Sequence, residues 1–96
     1  VEIDAGLTEA ARLEALSIAT QARTAAIMAA KIPLPTGPAT GTGTDCIAIA
    51  APDGTTRYAG LHTGVGEAVG RAVHDAVARG VALWQSTDTA KEARHG

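Results

Sequence analysis

The sequence predicts a small α/β fold, α+β-like in its two layers, with the element order β-α-β-β-α and a hairpin sheet packed by two helices. Three observations predict it. Two Ala-rich stretches carry apolar residues at helical spacing, from Thr8 to Lys31 and from Gly64 to Leu83. A short apolar run, Cys46–Ala51, reads as a strand. Pro52-Asp53-Gly54-Thr55 has turn chemistry and returns the chain into Thr56-Arg57-Tyr58-Ala59-Gly60 as a second strand.

Val1-Glu2-Ile3 alternates apolar and polar residues and is expected to be a strand cut near its end. Thr8 is the expected N-cap of the first helix, with Glu9 beside the positive helix end and Lys31 near the negative one. Leu13, Leu16, Thr20, Arg23 and Ile27 recur on one face of that helix, with Ala19, Ala26 and Ala30 beside them. Pro33 and Pro35 end it. Residues 35–45 keep no apolar period and read as a loop. Thr63 is the expected cap of the second helix, whose apolar stripe runs Val65, Val69, Val73, Val77, Gly80 to Leu83 and Trp84. Gly66 and Gly70 share a face, which predicts a close approach by a backbone or a ligand. Residues 85–96 read as a frayed tail.

The 96 residues allow one domain, and its core is expected to be thin. Of 44 hydrophobic residues, 22 are Ala and 18 are Val, Ile or Leu. A buried aliphatic side chain contributes about 1.5–3 kcal/mol, and Ala far less. The chain is therefore expected to be a piece of a larger fold, or an oligomer that completes its core with a second copy. One cysteine rules out an intrachain disulfide. The longest apolar runs, Ala25–Ala30 and Cys46–Ala51, are too short to span a membrane. Eight basic and ten acidic residues without a basic cluster give no footprint for nucleic acid. These features lead to an expectation of a cytoplasmic protein.

The segment from Thr36 to Thr44 is unusual in composition. It offers hydroxyls at Thr36, Thr40, Thr42 and Thr44 and glycines at Gly37, Gly41 and Gly43. Such a loop can present N–H and O–H groups to an amide or a phosphate, or serve as a plain connector. No Gly-Lys-Ser/Thr follows it, so it is not a P-loop. Asp45 stands where this loop meets the first hairpin strand, and His62 lies just beyond the second. A hairpin brings both to one end of the sheet, where an imidazole can serve as acid or base. The other reading of Asp45 is a loop anchor through local backbone bonds. Glu67 lies in the first turn of the second helix and pairs by spacing with Arg71. His62, His74 and Cys46 show no metal-site spacing.

Three motifs in order carry a family resemblance. They are Ala39-Thr40-Gly41-Thr42-Gly43-Thr44-Asp45 before an apolar run, Arg57-Tyr58-Ala59-Gly60-Leu61-His62-Thr63, and Gly66-Glu67-Ala68-Val69-Gly70-Arg71-Ala72-Val73. The chain resembles the adenosylcobinamide amidohydrolase family of corrinoid salvage. Ala19-Thr20-Gln21-Ala22-Arg23-Thr24 is similar to a helix motif of that family. The likeness runs from about Leu7 to Leu83, and Gly64-Val65 and Cys46 depart from the family's usual residues. It implies that residues 1–84 correspond to the C-terminal half of such a domain, with 85–96 as the tail. The implied activity is hydrolysis of the amide joining the corrin ring to its aminopropanol arm, with the corrinoid as substrate and no cofactor. Asp45, His62 and Glu67 are the expected catalytic residues, and Thr40, Gly41, Thr42, Gly43, Thr44, Thr63 and Arg71 the expected substrate contacts. A non-catalytic corrinoid- or nucleotide-binding module, or an assembly piece of a larger complex, are the alternatives.

Overall fold

The computed structural model describes residues 1–34, 37–41 and 46–95, with the backbone alone at Pro33 and at residues 87–95. Helix α1 spans Glu9–Ala29 and begins where the sequence places it. Thr8 is the N-cap, and its Oγ1 accepts from the Ala11 amide at 3.2 Å. The helix closes at Ala30, and Lys31 follows with φ of 54°. Strands β1 (Pro33–Leu34) and β2 (Gly37–Pro38) then form an antiparallel ladder, with Pro33 opposite Pro38 and Leu34 opposite Gly37. Proline lacks the N–H that a longer ladder needs, so the pairing stops there. Helix α2 runs Gly64–His95, well beyond the Gly64–Leu83 helix read from the pattern.

The α/β two-layer fold expected from the sequence does not form. The chain is mostly helical, and no sheet packs behind its helices; the β1–β2 ladder is the one sheet among the described residues. Cys46–Ala51 and Thr56–Gly60 do not pair as a hairpin, because the N-terminal segment takes their backbone groups. The Ile3 amide donates to the Ala50 carbonyl, and the Ala50 amide donates to that of Val1. Further along, Leu7 donates to Pro52 and accepts from Gly54, while Thr8 donates to Thr56 and Thr56 donates to Gly6. Residues 6–8 thus lie between the two expected strands, joined by single parallel bridges at Asp53 and Thr56. Gly6 and Gly54 make this possible, since a Cβ on Gly6 would lie 2.8 Å from the Cα of Gly54. Ala48, Ala50 and Ala51 also have poor strand propensity, which favours bridges over a continuous ladder.

The core is built on small residues. Ala11, Ala15 and Ala19 form a ridge at four-residue spacing on α1, all fully buried. Leu7, Ala59 and Val69 pack along this ridge beside Ile18, with Ile3, Ile49 and Val65 at its edge. Leu7 is the largest side chain that is fully buried. Leu13, expected on the inner face, is instead 61% exposed, because α2 can approach α1 closely only along the alanines. Ile18 meets Gly70, and Ile27 shares a hollow with Gly80 and Val81, so the two helices run in the same direction. Arg12 ties α1 to the crossing segment, donating to the Ala51 carbonyl and pairing with Asp53. No helix among the described residues is long and apolar enough to cross a membrane.

Candidate functional site

The start of α2 gathers four of the residues singled out by sequence. His62 is exposed in the turn ahead of the helix. Thr63 caps the helix: its hydroxyl accepts from the Gly66 amide at 3.0 Å and donates to the Gly60 carbonyl at 2.8 Å. Glu67 and Arg71 pair at 2.7 Å across one turn, with both side chains about two-thirds exposed or more. The turn itself is held from α1, where the Glu14 carboxylate accepts from the Ala59 amide at 3.3 Å. Gly66 fits this corner because a Cβ there would lie 2.7 Å from the Ala59 carbonyl oxygen and closer still to that of Gly60. At Gly70 the equivalent atom would meet only the Ile18 side chain, at 3.5 Å, so one of the two glycines has the close backbone approach.

The Thr/Gly segment begins at the other end of the helix pair. Gly41 and Ala39 line a hollow of about 350 Å³ with Ile27, Ile32, Leu34, Gly80, Val81 and Trp84. Gly80 lies 16 residues along α2 from Gly64, about 24 Å at 1.5 Å per residue. Thr40 and Gly41 are therefore far from His62. Thr42, Gly43, Thr44 and Asp45 lie outside the described residues, and so does the pairing of Asp45 with His62. The geometric premise of that pairing, a hairpin between the strands flanking the turn, is absent.

The chain re-enters beside the middle of α1. Cys46 and Ile47 line a hollow of about 190 Å³ with Leu16, Thr20 and Arg23. The Thr20 hydroxyl donates to the Leu16 carbonyl at 2.9 Å. Leu16, Thr20, Arg23 and Ile27 follow one another at steps of three or four, so they form one stripe along α1. Arg23 at the smaller hollow and Ile27 at the larger are about 6 Å apart along the axis. The two hollows thus follow each other on one helix face. The Thr/Gly segment links them in sequence, with Gly41 at one and Cys46 at the other.

Thr20 and Arg23 belong to the Ala19–Thr24 motif, and the sequence alone assigns them no part in the site. The signal was present, for they are two polar residues inside an otherwise apolar stripe, Leu13-Leu16-Thr20-Arg23-Ile27. Glu14 and Arg12 carried no comparable signal, since their partners Ala59, Ala51 and Asp53 are distant in sequence. Among the described residues no three His, Cys, Asp or Glu side chains gather as a metal site.

Comparison with known proteins gives one finding. A search of curated proteins and a search of solved structures return no match. The family model described as adenosylcobinamide amidohydrolase matches residues 1–89. That match includes the N-terminal segment that pairs with residues 48–56, the helix stripe and both hollows. The chain belongs to the CbiZ family of adenosylcobinamide amidohydrolases.

Proposed function

We propose that this protein hydrolyses the amide bond between the corrin ring and the aminopropanol arm of adenosylcobinamide. The family match over residues 1–89 is the observation that carries this reading. Thr20 and Arg23, from the family-like helix motif, line a hollow that the chain enters at Cys46 and Ile47 directly after the Thr/Gly motif.

The reaction adds water across an amide. The water oxygen bonds to the carbonyl carbon, the C–N bond breaks, and a proton passes to the leaving nitrogen. The products are adenosylcobyric acid and aminopropanol, or its phosphate when the arm carries one. Three functions are needed: a base, a group that orients it, and donors for the oxyanion. We assign the base to His62, which removes a proton from water or from a Thr hydroxyl and returns it to the amine. Asp45 and Glu67 are the carboxylates available to orient it. Glu67 lies in the first turn of the helix that His62 precedes and pairs with Arg71, and Asp45 lies outside the described residues. N–H groups of residues 42–44, closer in sequence to Asp45 than Thr40 and Gly41, which lie far from His62, serve as oxyanion donors, and Thr63 and Arg71 as contacts for polar arms of the substrate.

The test is steady-state turnover of adenosylcobinamide by the protein and by its His62→Ala and Asp45→Asn variants. Loss of a general base lowers turnover by at least about a hundredfold. An exposed His62 leaves the fold intact when truncated, so circular dichroism of the variant matches the parent. Near-parental turnover in His62→Ala removes it from the mechanism.

A further inference from the structure

We infer that the outer face of α2, around Ala72 and Ala76, docks a second copy of this chain, whose α2 lies against it in the opposite direction. This concerns assembly and stands apart from the hydrolytic reading. α2 meets the core through Val65, Val69 and Val73. Beside that contact Ala68, Ala72 and Ala76 follow at four-residue steps, and all three are exposed. A groove of about 370 Å³ lies open between Ala68 and Ala72 on one side and residues 1–4 on the other. On α1 the corresponding ridge, Ala11, Ala15 and Ala19, is fully buried. Ridges of residues four apart interdigitate when two helices cross, and small side chains let the axes come close. α2 thus carries an uncovered counterpart of the contact that builds the core.

The charges along the edge of this face select its occupant. Glu67, Arg71, Asp75 and Arg79 follow at four-residue steps, alternate in sign and are all exposed. In reverse order the ladder reads Arg79, Asp75, Arg71, Glu67, so an antiparallel second α2 sets an opposite charge against every member. Glu67 meets the partner's Arg79, and Arg71 meets the partner's Asp75. A parallel copy in register sets each charge against its own like, which is repulsive. A two-fold axis passing by Val73 repeats both pairs, so the face is complementary to itself, as a closed dimer requires. Arg71 already donates to Glu67 of its own chain at 2.7 Å, and a guanidinium has five N–H donors, enough for a second carboxylate. The central Arg71 and Asp75 pairs are the most enclosed, and the outer ones stay in water at the rim.

Asp75→Arg and Arg71→Asp test this as a pair. Each variant sets like charges against one another in its own dimer, while an equal mixture of the two restores both central pairs. Sedimentation velocity over a concentration series is measured on the protein, on each variant and on the mixture, with circular dichroism as the check on folding. The expected result is a dimeric parent whose dissociation constant rises at least about tenfold in each variant. The mixture recovers most of that loss by forming a dimer of one variant with the other. A parent that stays monomeric at every concentration overturns the inference, whatever other partner it binds. A dimer that neither variant weakens also overturns it, because the copies then meet elsewhere. Weakening in both folded variants without recovery in the mixture overturns the antiparallel pairing. If either charge variant loses helix signal, Ala72→Gln decides. Its longer side chain stands at an exposed site of the single chain and holds the two helices apart, so it weakens the dimer at least about tenfold, and a parental dissociation constant overturns the docking face.

Discussion

Substitution of Gly66 by alanine places a Cβ against two carbonyl groups. The new atom would sit 2.7 Å from the Ala59 oxygen and nearer to the Gly60 oxygen, and neither is the end of a side chain that can swing aside. The backbone must therefore move. Forcing a methyl into a packed contact costs about 1–3 kcal/mol. The Gly60 carbonyl also accepts from the amide and the hydroxyl of Thr63, at 3.0 and 2.8 Å, so displacement disturbs a cap of about 1 kcal/mol. Against this, alanine recovers up to about 1 kcal/mol of helix propensity. The balance is a loss of about 2 kcal/mol. Urea denaturation followed by circular dichroism reads it as a midpoint drop of about 1–2 M, for a slope near 1–2 kcal/mol/M. Gly70→Ala is the internal control, because its Cβ meets only Ile18 at an ordinary 3.5 Å. That variant is expected to be neutral or more stable. Equal midpoints for the two variants would refute the steric argument.

Other substitutions test separate parts of the account. Leu7→Ala, at a position 1% exposed against Ala11, Ala15 and Ala59, should cost about 2–5 kcal/mol by the same denaturation assay. Thr63→Ala should lose about 1 kcal/mol, and Thr63→Ser should recover most of it; an unchanged midpoint in Thr63→Ala contradicts the cap. Glu67→Gln breaks a solvent-facing ion pair with Arg71 and should shift stability by less than about 0.5 kcal/mol, with the shift shrinking in high salt.

The local signals in the sequence are those the structure keeps. Thr8 and Thr63 cap helices where their position predicts, since a cap depends on the next three residues alone. Strand pairing depends on distant partners, and here composition misled. Cys46–Ala51 and Thr56–Gly60 have the look of a hairpin, but Gly6, Leu7 and Thr8 take the bonds that it needs. Nothing local to residues 46–60 signals that competition; the pair of glycines that permits it is separated by 48 positions. The inner face of α1 is hidden in the sequence as well, because large Leu13 stands out while small alanines do the packing. A close helix contact selects the smallest side chains, whereas a count of apolar residues favours the largest ones. The candidate site was legible as motifs and not as a place. Thr20, Arg23 and Cys46 meet because the segment after the Thr/Gly loop crosses under α1, a fact of tertiary packing. Thr40 and Gly41, expected beside His62, lie by the end of α1 and the middle of α2 for the same reason.

Isotope labelling of the products tests amide hydrolysis most directly. Adenosylcobinamide is incubated with the protein in ¹⁸O-water, and both products are examined by mass spectrometry. The account predicts free aminopropanol in amounts equal to a new corrinoid carboxylate, with one ¹⁸O in the carboxylate and none in the arm. Unchanged adenosylcobinamide after prolonged incubation, or ¹⁸O in the arm from cleavage on its alkyl side, contradicts it.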